Sequence, residues 1–491
     1  MIRHMTTLDL VIRNGTVVTA TDRMDCDVGV SGGKIVALGK PLGAAAEEID
    51  ATGRLVLPGG IDSHVHIEQK SSMGIATADD FYSGTVAAAF GGTTTILPFA
   101  VQERGRPLRQ SINDYHALAA PKAVIDYAFH LIILDPSEQV LGQELPALIK
   151  DGYTSFKVYM TYDRLRLDDY QLLSVLALAK QHGAMAMIHA ENHEIIRWLT
   201  EKLLTAGNTA PLFHAVSHPR IAEAEATERA LRLSELLDVP LLIVHMSEIS
   251  AINAVRAAQT RGLRVYGETC PQYLFLTAQD LDRHGLEGAK FCCSPPPRDA
   301  EAQQAVWTGL RNGTFQVFSS DHAPYRFDES GKLPKGIATR FSEVANGVPG
   351  IELRLPLLFS EGVLTGRIDL NQFVALTATN HAKLYGLYPR KGTIAIGSDA
   401  DLALWNPARA VTVGAGMLHD RVGYTPYEAR TITGWPEIVL SRGRVVVADG
   451  ALKASRGSGE FLPCALPEPA QPLGRLSPEL AFLARRGTPL A

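Results

Sequence analysis

Short apolar segments of five to seven residues alternate, through the middle of the chain, with longer segments in which apolar residues recur every three or four positions. The first pattern predicts buried β-strands, and the second predicts amphipathic helices such as residues 169–182 and 223–237. The predicted strands are residues 93–98, 125–131, 155–159, 185–189, 241–245, 264–268 and 315–321. With the strand that leads to His64 they number eight, and their alternation with helices predicts an α/β fold, a (β/α)8 barrel over residues 59–386.

The two ends of the chain differ from the middle in their pattern of apolar and turn residues. Residues 1–58 and 387–456 contain short β-type segments separated by glycine-rich turns, one of them predicted at 393–396. Because the termini of a domain commonly lie close together, we expect these two regions to form one small β-sandwich. The tail, residues 457–491, has one helix candidate at 478–484, which either covers a neighbouring subunit or frays.

Composition and charge narrow the classes of partner. The chain of 491 residues has 47 Lys and Arg against 52 Asp and Glu, a net charge of -5, and no basic run that would follow a phosphate backbone. Its five cysteines are scattered without a CxxC pair, which suits a reducing cytoplasm. The N-terminus has no sustained apolar core, and no segment reaches the length of a membrane span. We therefore expect a cytoplasmic protein that binds neither nucleic acid nor membranes.

Two histidines follow the apolar strand that ends at Pro58. Side chains alternate along a strand, so His64 and His66 point to the same side, about 6 to 7 Å apart, and both imidazoles can bind one metal ion. Taken alone, this pair also fits two buried polar histidines. Four further side chains that suit a metal site fall within or at the ends of later predicted strands: Lys157, His189, His245 and Asp321. Barrel enzymes carry their chemistry at this rim, so we expect one metal centre there.

The segments around these residues resemble a known family. They are HVH at 64–66, FKVYM at 156–160, IHAEN at 188–192, IVHMS at 243–247 and SSDHAPY at 319–325. Together they are similar to the cyclic-amide hydrolases of the amidohydrolase superfamily, namely the dihydropyrimidinase and D-hydantoinase family. The resemblance covers nearly the whole chain, including the split sandwich, and it implies a homotetramer.

The resemblance also implies a pair of divalent metal ions in each chain. The resemblance implies that His64, His66 and Asp321 bind the first ion and that His189 and His245 bind the second. Lys157 would bridge both ions as N6-carboxylysine. A free lysine ammonium has only donors and cannot bind a cation, so Lys157 makes sense here only as a carbamate, which supplies two oxygens. Four imidazoles with few carboxylates favour Zn²⁺, although Mn²⁺ or Co²⁺ could substitute.

Roles in catalysis and substrate binding follow from the same resemblance. Asp321 would take a proton from the attacking hydroxide and deliver it to the departing amide nitrogen. Tyr162 matches the tyrosine that stabilises the oxyanion, although a rim aromatic could also simply pack there. Ser294 and Asn346 match positions whose backbone meets the edge of the cyclic substrate; without the resemblance, both would be ordinary turn residues.

Five other residues carry weaker expectations. Met73, Ile75 and Leu165 are candidates for an apolar lid over the substrate's substituent. His193 stands where many members of the family have glycine, and we expect it on the surface of a helix. His381 departs from the commoner proline and is expected to cap a helix.

The predicted activity is the ring opening of 5,6-dihydrouracil, dihydrothymine or 5-substituted hydantoins to N-carbamoyl amino acids, and the sequence does not choose among these substrates or their enantiomers. Allantoinase shares the metal ligands and stays an alternative. Dihydroorotase is disfavoured because Glu68 occupies the position where its carboxylate-binding arginine is expected. A non-catalytic assembly protein of the collapsin-response type is disfavoured because all six ligands are present.

Overall fold

Seven short strands open the described part of the chain, which comprises residues 8–71 and 73–487 of this computed structural model. They are β1 (Leu8–Arg13), β2 (Thr16–Val18), β3 (Arg23–Asp25), β4 (Asp27–Ser31), β5 (Lys34–Gly39), β6 (Ala45–Asp50) and β7 (Leu55–Pro58). Four of them form a sheet in the order β5-β4-β1-β6. The predicted terminal segments also contain residues 1–7 and 488–491, which lie outside the described residues.

Nine strands follow and form the wall of the barrel. They are β8 (Gly60–Val65), β9 (Thr93–Val101), β10 (Asp126–Tyr127), β11 (His130–Ile132), β12 (Ser155–Tyr159), β13 (Met185–His189), β14 (Leu241–Ile243), β15 (Val265–Thr269) and β16 (Val317–Phe318). Their pairing is parallel throughout, and both β10 and β11 pair with β9, so the nine strands occupy eight positions. A parallel bridge between Val65 and His322 closes the ring. The predicted single strand at 125–131 is therefore interrupted at Ala128-Phe129.

Helices connect and cover the strands. They are α1 (Phe81–Phe90), α2 (Leu108–Ala119), α3 (Leu145–Lys150), α4 (Asp169–His182), α5 (His193–Thr205), α6 (Leu212–Ser217), α7 (Arg220–Leu237), α8 (Ile249–Thr260), α9 (Gln272–Phe275), α10 (Ala300–Arg311), α11 (Arg354–Leu358), α12 (Leu370–Val374), α13 (Asn380–Leu384) and α14 (Pro478–Arg485). The predicted helix 169–182 is α4: Asp168 and Gln171 form a capping box at its start, and Gly183 ends it with φ of 67°.

The last strands return to the N-terminal module. They are β17 (Leu402–Thr412), β18 (Thr431–Ser441), β19 (Arg444–Ala448) and β20 (Ala451–Leu452). The second sheet has the order β20-β19-β18-β17-β7-β2-β3, and β17 is antiparallel to β7, with Ala403 opposite Leu57. Buried residues from both ends of the chain, such as Ile12, Val28, Leu402 and Leu440, pack in one cluster. The predicted barrel with a sandwich built from both termini is confirmed, while its exact domain limits stay a prediction.

Two local predictions have clear outcomes. The segment 393–396 is wrong as a strand, because it has no strand conformation and the chain meets β5 just after it, through Gly397 N to Ile35 O and Ile35 N to Ser398 O. The tail helix predicted at 478–484 is α14. Within residues 8–71 and 73–487, no helix combines the length and the apolar character that crossing a membrane requires.

Candidate active site

The carboxyl ends of the barrel strands bring the predicted metal residues together. Because the strands are parallel, these ends meet at one rim of the barrel. His64 lies within β8, Lys157 within β12 and His189 at the end of β13. His245 follows β14 by two residues, and Asp321 follows β16 by three. All five are buried, and only His66 is partly exposed.

The distances between these side chains are those of a single cluster. Asp321 Oδ1 lies 3.2 Å from His64 Nε2 and 3.3 Å from His66 Nε2. One ligand atom from each of these three residues can be chosen so that all lie within 4.8 Å of one another. Lys157 Nζ lies 2.7 Å from His64 Nε2. The rings of His189 and His245 have centroids 4.4 Å apart, so all six predicted residues converge.

Three of the four histidines have one ring nitrogen tied to a side chain outside the cluster. The pairs are His64 Nδ1 with Glu268 Oε1 at 2.6 Å, His66 Nδ1 with Gln69 Oε1 at 2.7 Å, and His189 Nε2 with Glu191 Oε2 at 2.7 Å. The other nitrogens of His64 and His66 both face Asp321 Oδ1. This is the arrangement of metal-binding histidines, whose outer partners fix the tautomer and the ring orientation.

Sequence reasoning missed these outer partners. Glu268 was expected only as the end of a strand, yet its Oε1 also accepts the backbone N–H of His245 at 3.1 Å, and its Oε2 accepts from Ser319 Oγ at 2.9 Å. Glu191 lies in the segment IHAEN, where the sequence assigned it no role. The signal available in the sequence was a carboxylate at the end of a predicted barrel strand, where a buried acid needs a partner.

Burial sets the protonation of the cluster. Desolvation lowers the pKa of His64 and His245 well below the usual value, so both rings are neutral and offer lone pairs. Burial also lowers the pKa of Lys157, which favours the neutral amine that can react with carbon dioxide. For Asp321, burial acts to raise the pKa, but the neighbouring His64 and His66 outweigh it and lower the pKa to about 2.

These residues fit a pair of divalent cations. Among the described residues, the buried Nδ1 of His245 has no hydrogen-bond partner, and a bound cation would satisfy it. Neutral imidazoles with a single ionised carboxylate suit Zn²⁺ or a similar ion. Lys157 Nζ lies 4.7 Å from the Phe99 ring and 4.9 Å from the Tyr159 ring, so its side chain is fixed among the candidate ligands.

Backbone strain concentrates at the same place. Tyr162, His245 and Asp321 have φ of 71°, 38° and 48°, a left-handed region that non-glycine residues seldom adopt. Each follows a barrel strand, and the unusual turn aims its side chain back over the rim. Such conformations persist only where the surrounding structure enforces them, which is typical of functional sites.

A cavity of about 660 Å³ opens above the cluster. Tyr162, Ser294 and Asn346 all line it together with every predicted metal residue except His64, so the structure brings the three predicted substrate contacts to one place. Burial raises the pKa of Tyr162, and the nearby carboxylate of Glu191 adds to the rise. The hydroxyl therefore stays protonated at neutral pH and can donate a hydrogen bond.

The predicted lid has a mixed outcome. Met73 and Leu165 line the cavity, and Met73 is 43% exposed at its mouth. Ile75 packs instead against a small cluster formed by Ala323, Tyr325 and Ala345. The mouth also carries three cationic side chains: Lys70, Arg104 and Arg164. The rim is therefore more polar than an apolar lid alone would make it.

Two further histidines differ from the expectations. His193 is wrong as a surface residue: it begins α5 but is buried, and its Nε2 faces Asp163 Oδ1 at 3.3 Å. His381 is wrong as a helix cap, because it lies inside α13. Its Nδ1 bonds to Ser63 Oγ at 2.8 Å, which joins α13 to β8 directly beneath the metal residues.

Comparison with known proteins agrees with this geometry. The model of the Amidohydrolase family matches residues 55–446. The chain is 46% identical to a D-hydantoinase of Geobacillus stearothermophilus over 92% of this chain and 96% of that protein. It is 43% identical to a D-hydantoinase of Rhizobium radiobacter over 92% of this chain and 98% of that protein.

Solved structures agree as well. The dihydropyrimidinase of Brevibacillus agri NCHU1002 superposes with a TM-score of 0.91 at 44% identity, covering 93% of this chain and 99% of that one. The family match spans the barrel together with β7 before it and β17 and β18 after it, and these relatives align along nearly their whole lengths. The resemblance seen in the motifs is thus confirmed, and the chain belongs to the amidohydrolase family, alongside the D-hydantoinases and dihydropyrimidinases.

Proposed function

We propose that this protein is a metal-dependent hydrolase that opens the cyclic amide bond of 5-substituted hydantoins and of dihydropyrimidines such as 5,6-dihydrouracil, releasing N-carbamoyl amino acids. The observation that carries the proposal is the convergence of four imidazoles, Lys157 and Asp321 at one rim, beneath a cavity lined by Tyr162, Ser294 and Asn346. Relatives named D-hydantoinase and dihydropyrimidinase support the same substrate class.

The metal ligands can be proposed from the distances between the side chains of the cluster. The ligands we propose are His64, His66 and Asp321 for one ion, His189 and His245 for the other, and Lys157 as N6-carboxylysine shared by both. When bound, a pair of divalent ions, in our proposal Zn²⁺, lowers the pKa of water and polarises a carbonyl oxygen. The outer carboxylates Glu268 and Glu191 hold His64 and His189 in the required tautomers.

Asp321 is proposed to move the proton. Ring opening forms a C–O bond to the attacking oxygen and breaks the ring C–N bond, so one proton must pass from the attacking oxygen to the departing nitrogen. The carboxylate of Asp321 is ionised, lies on the cavity wall and is held by His64 and His66. It can therefore accept that proton and release it to the nitrogen.

Tyr162, Ser294 and Asn346 are proposed to bind the ring. The Tyr162 hydroxyl, kept protonated by its raised pKa, would donate to the oxyanion that develops on the attacked carbonyl. Main-chain groups of Ser294 and Asn346 would meet the amide edge of the ring. Gly347 supports this close approach, because its φ is 146° and a Cβ there would lie 2.3 Å from Ala323 Cβ.

The test is a ring-opening assay with 5,6-dihydrouracil and 5-phenylhydantoin, run in parallel on zinc-loaded enzyme and on enzyme stripped with a chelator. We expect hydrolysis only in the loaded enzyme, and the ratio of kcat/KM for the two rings identifies the preferred class. Metal-replete enzyme that opens neither ring but hydrolyses allantoin would support the allantoinase alternative instead. Metal analysis of the purified protein tests for zinc, and light scattering tests the homotetramer, which we propose from the resemblance.

A further inference from the structure

A buried lysine outside the metal cluster joins the two loops that carry Ser294 and Asn346. The side chain of Lys332 is fully buried, and its Nζ donates three hydrogen bonds to backbone carbonyls. The acceptors are Cys292 O at 2.7 Å, Ala345 O at 2.7 Å and Gly347 O at 2.5 Å. An ammonium has three donors, so all of them are used.

These carbonyls surround Asn346. The carbonyl of Ala345 and the N–H of Asn346 belong to one planar peptide unit, so the bond from Lys332 to Ala345 O orients that N–H. The carbonyl of Asn346 shares a plane with the N–H of Gly347, which donates to Cys292 O at 3.0 Å. Cys292 O is itself an acceptor for Lys332. The ammonium of Lys332 therefore orients the N–H of Asn346 directly, through the carbonyl of Ala345. It orients the C=O of Asn346 indirectly, through the carbonyl of Cys292 that Gly347 N also contacts.

The main-chain groups of Asn346 are free for a ligand. In the described chain, no hydrogen bond uses its N–H or its C=O, and its side-chain Oδ1 is buried without a partner. The residue lines the cavity beside Tyr162. A donor and an acceptor on adjacent peptide planes match the alternating C=O and N–H of a cyclic imide or ureide, provided that the planes keep their orientation.

Packing alone does not account for a charged side chain at this position. Among the described residues, no carboxylate forms an ion pair with Lys332, and an ammonium without a counter-charge is costly to bury. Burial lowers its pKa to about 8. A methionine would fill the same volume without that cost, so the fixed carbonyls are the feature that requires the ammonium.

We propose that Lys332 is a positioning residue, which binds three carbonyl oxygens and thereby holds the N–H and C=O of Asn346 in the orientation that meets the amide edge of the substrate ring. This inference rests on the proposed function, in which Asn346 contacts the ring.

The test compares Lys332→Met and Lys332→Gln with the matched control Lys180→Met. Lys180 also donates to a backbone carbonyl, that of Leu237 at 2.6 Å, but it lies outside the cavity. We expect Lys332→Met to raise KM for the ring at least about tenfold while kcat falls less than about threefold, because the lost contacts hold the substrate in the ground state and the transition state alike. Lys332→Gln, with two donors, should give a smaller rise, and Lys180→Met should stay within about twofold of the wild type.

Metal content and melting temperature are measured on every variant, so that loss of the metal or of the fold is recognised. A folded, metal-replete Lys332→Met with wild-type KM would overturn the inference alone. If neither Lys332 variant folds, the inference also fails, because the lysine then serves the fold as a whole. A wild-type enzyme that opens no ring overturns the proposed function and, with it, this inference.

Discussion

Glu268 Oε1 accepts a hydrogen bond from His64 Nδ1 at 2.6 Å, although 204 residues separate the two in the chain. Both side chains are fully buried, and this bond leaves the other ring nitrogen of His64, Nε2, to face Lys157 and Asp321. Lys157 Nζ lies 2.7 Å and Asp321 Oδ1 lies 3.2 Å from that Nε2. The outer carboxylate therefore controls the part of the site where His64 would bind a metal ion.

Replacing Glu268 by glutamine tests this control. Glu268→Gln keeps the shape of the side chain but has one acceptor oxygen, so it cannot accept from His64 Nδ1 on one side and from Ser319 Oγ on the other. We expect metal affinity to fall by roughly 10- to 100-fold, with activity recovered by excess zinc. The measurement is a metal titration followed by the ring-opening assay.

The matched control is Glu352→Gln, since Glu352 is a buried glutamate on His419 Nδ1, at 3.0 Å, and lies away from the cavity. It should retain its metal as the wild type does. Equal metal retention in both variants would contradict the role of Glu268.

Removal of Lys157 should abolish the binuclear centre. Lys157→Ala deletes the side chain that, as a carbamate, would supply two oxygens between the two groups of histidines, so both metal content and hydrolysis should be lost. Metal content is measured by elemental analysis. Intact-protein mass should show one added carbon dioxide in the wild type, refolded with bicarbonate and zinc, and none in the variant. A metal-replete, active Lys157→Ala enzyme would overturn the binuclear assignment.

Tyr162→Phe should slow the chemistry without removing the metal. The variant lacks the hydroxyl that donates to the oxyanion, and the loss of one such donor costs roughly 10² to 10³ in kcat. Steady-state kinetics with metal analysis of the same samples separates the two effects. As a control, Tyr115→Phe removes a buried hydroxyl that bonds to Ile67 O at 2.7 Å outside the cavity, and its kcat should change little. An unchanged kcat in Tyr162→Phe would exclude the oxyanion role.

The pH dependence of stability has a separate origin in Asp420, a half-buried acidic group in the segment between β17 and β18. Burial and the neighbouring Asp79 raise the pKa of Asp420 to about 6, above its value in an unfolded chain. The folded state therefore binds the proton of Asp420 more tightly than the unfolded chain does. The ionised carboxylate thus lowers the free energy of unfolding by its full amount above pH 6, and this loss disappears as the pH falls toward 4.

We expect Asp420→Asn to be more stable than the wild type at pH 7.5, by about 1 kcal/mol or more, with the difference shrinking at pH 4.5. The asparagine can still accept the bond from Val422 N, now 3.0 Å from Asp420 Oδ1. Melting curves at both pH values check this. Asp449→Asn, at a side chain that is 89% exposed, should show no such difference. A gain of the same size at both pH values would contradict the assignment to Asp420.

Much of the architecture could be predicted because it depends on the local periodicity of apolar residues. The alternation of apolar segments with amphipathic segments predicts the barrel, and α4 begins and ends at the predicted residues because its cap and its terminal glycine are local signals. The strand predicted at 125–131 was harder, since its interruption at Ala128-Phe129 leaves no mark in the apolar pattern. His193 was misjudged because it lines a second cavity together with residues that are distant in the chain, such as Phe341 and Asn346.

The sequence by itself determined the element types, the residues that end the barrel strands and therefore the rim at which His64, Lys157 and Asp321 meet. A period of two or of 3.6 residues is a property of neighbouring positions, so it can be read without the fold. Only the tertiary structure decided that Glu268 holds His64 and that Lys332 binds the carbonyl of Cys292. Those partners lie on strands and loops that are far apart in the chain. They come into contact because the barrel closes, and the spacing of residues along the sequence does not show that closure.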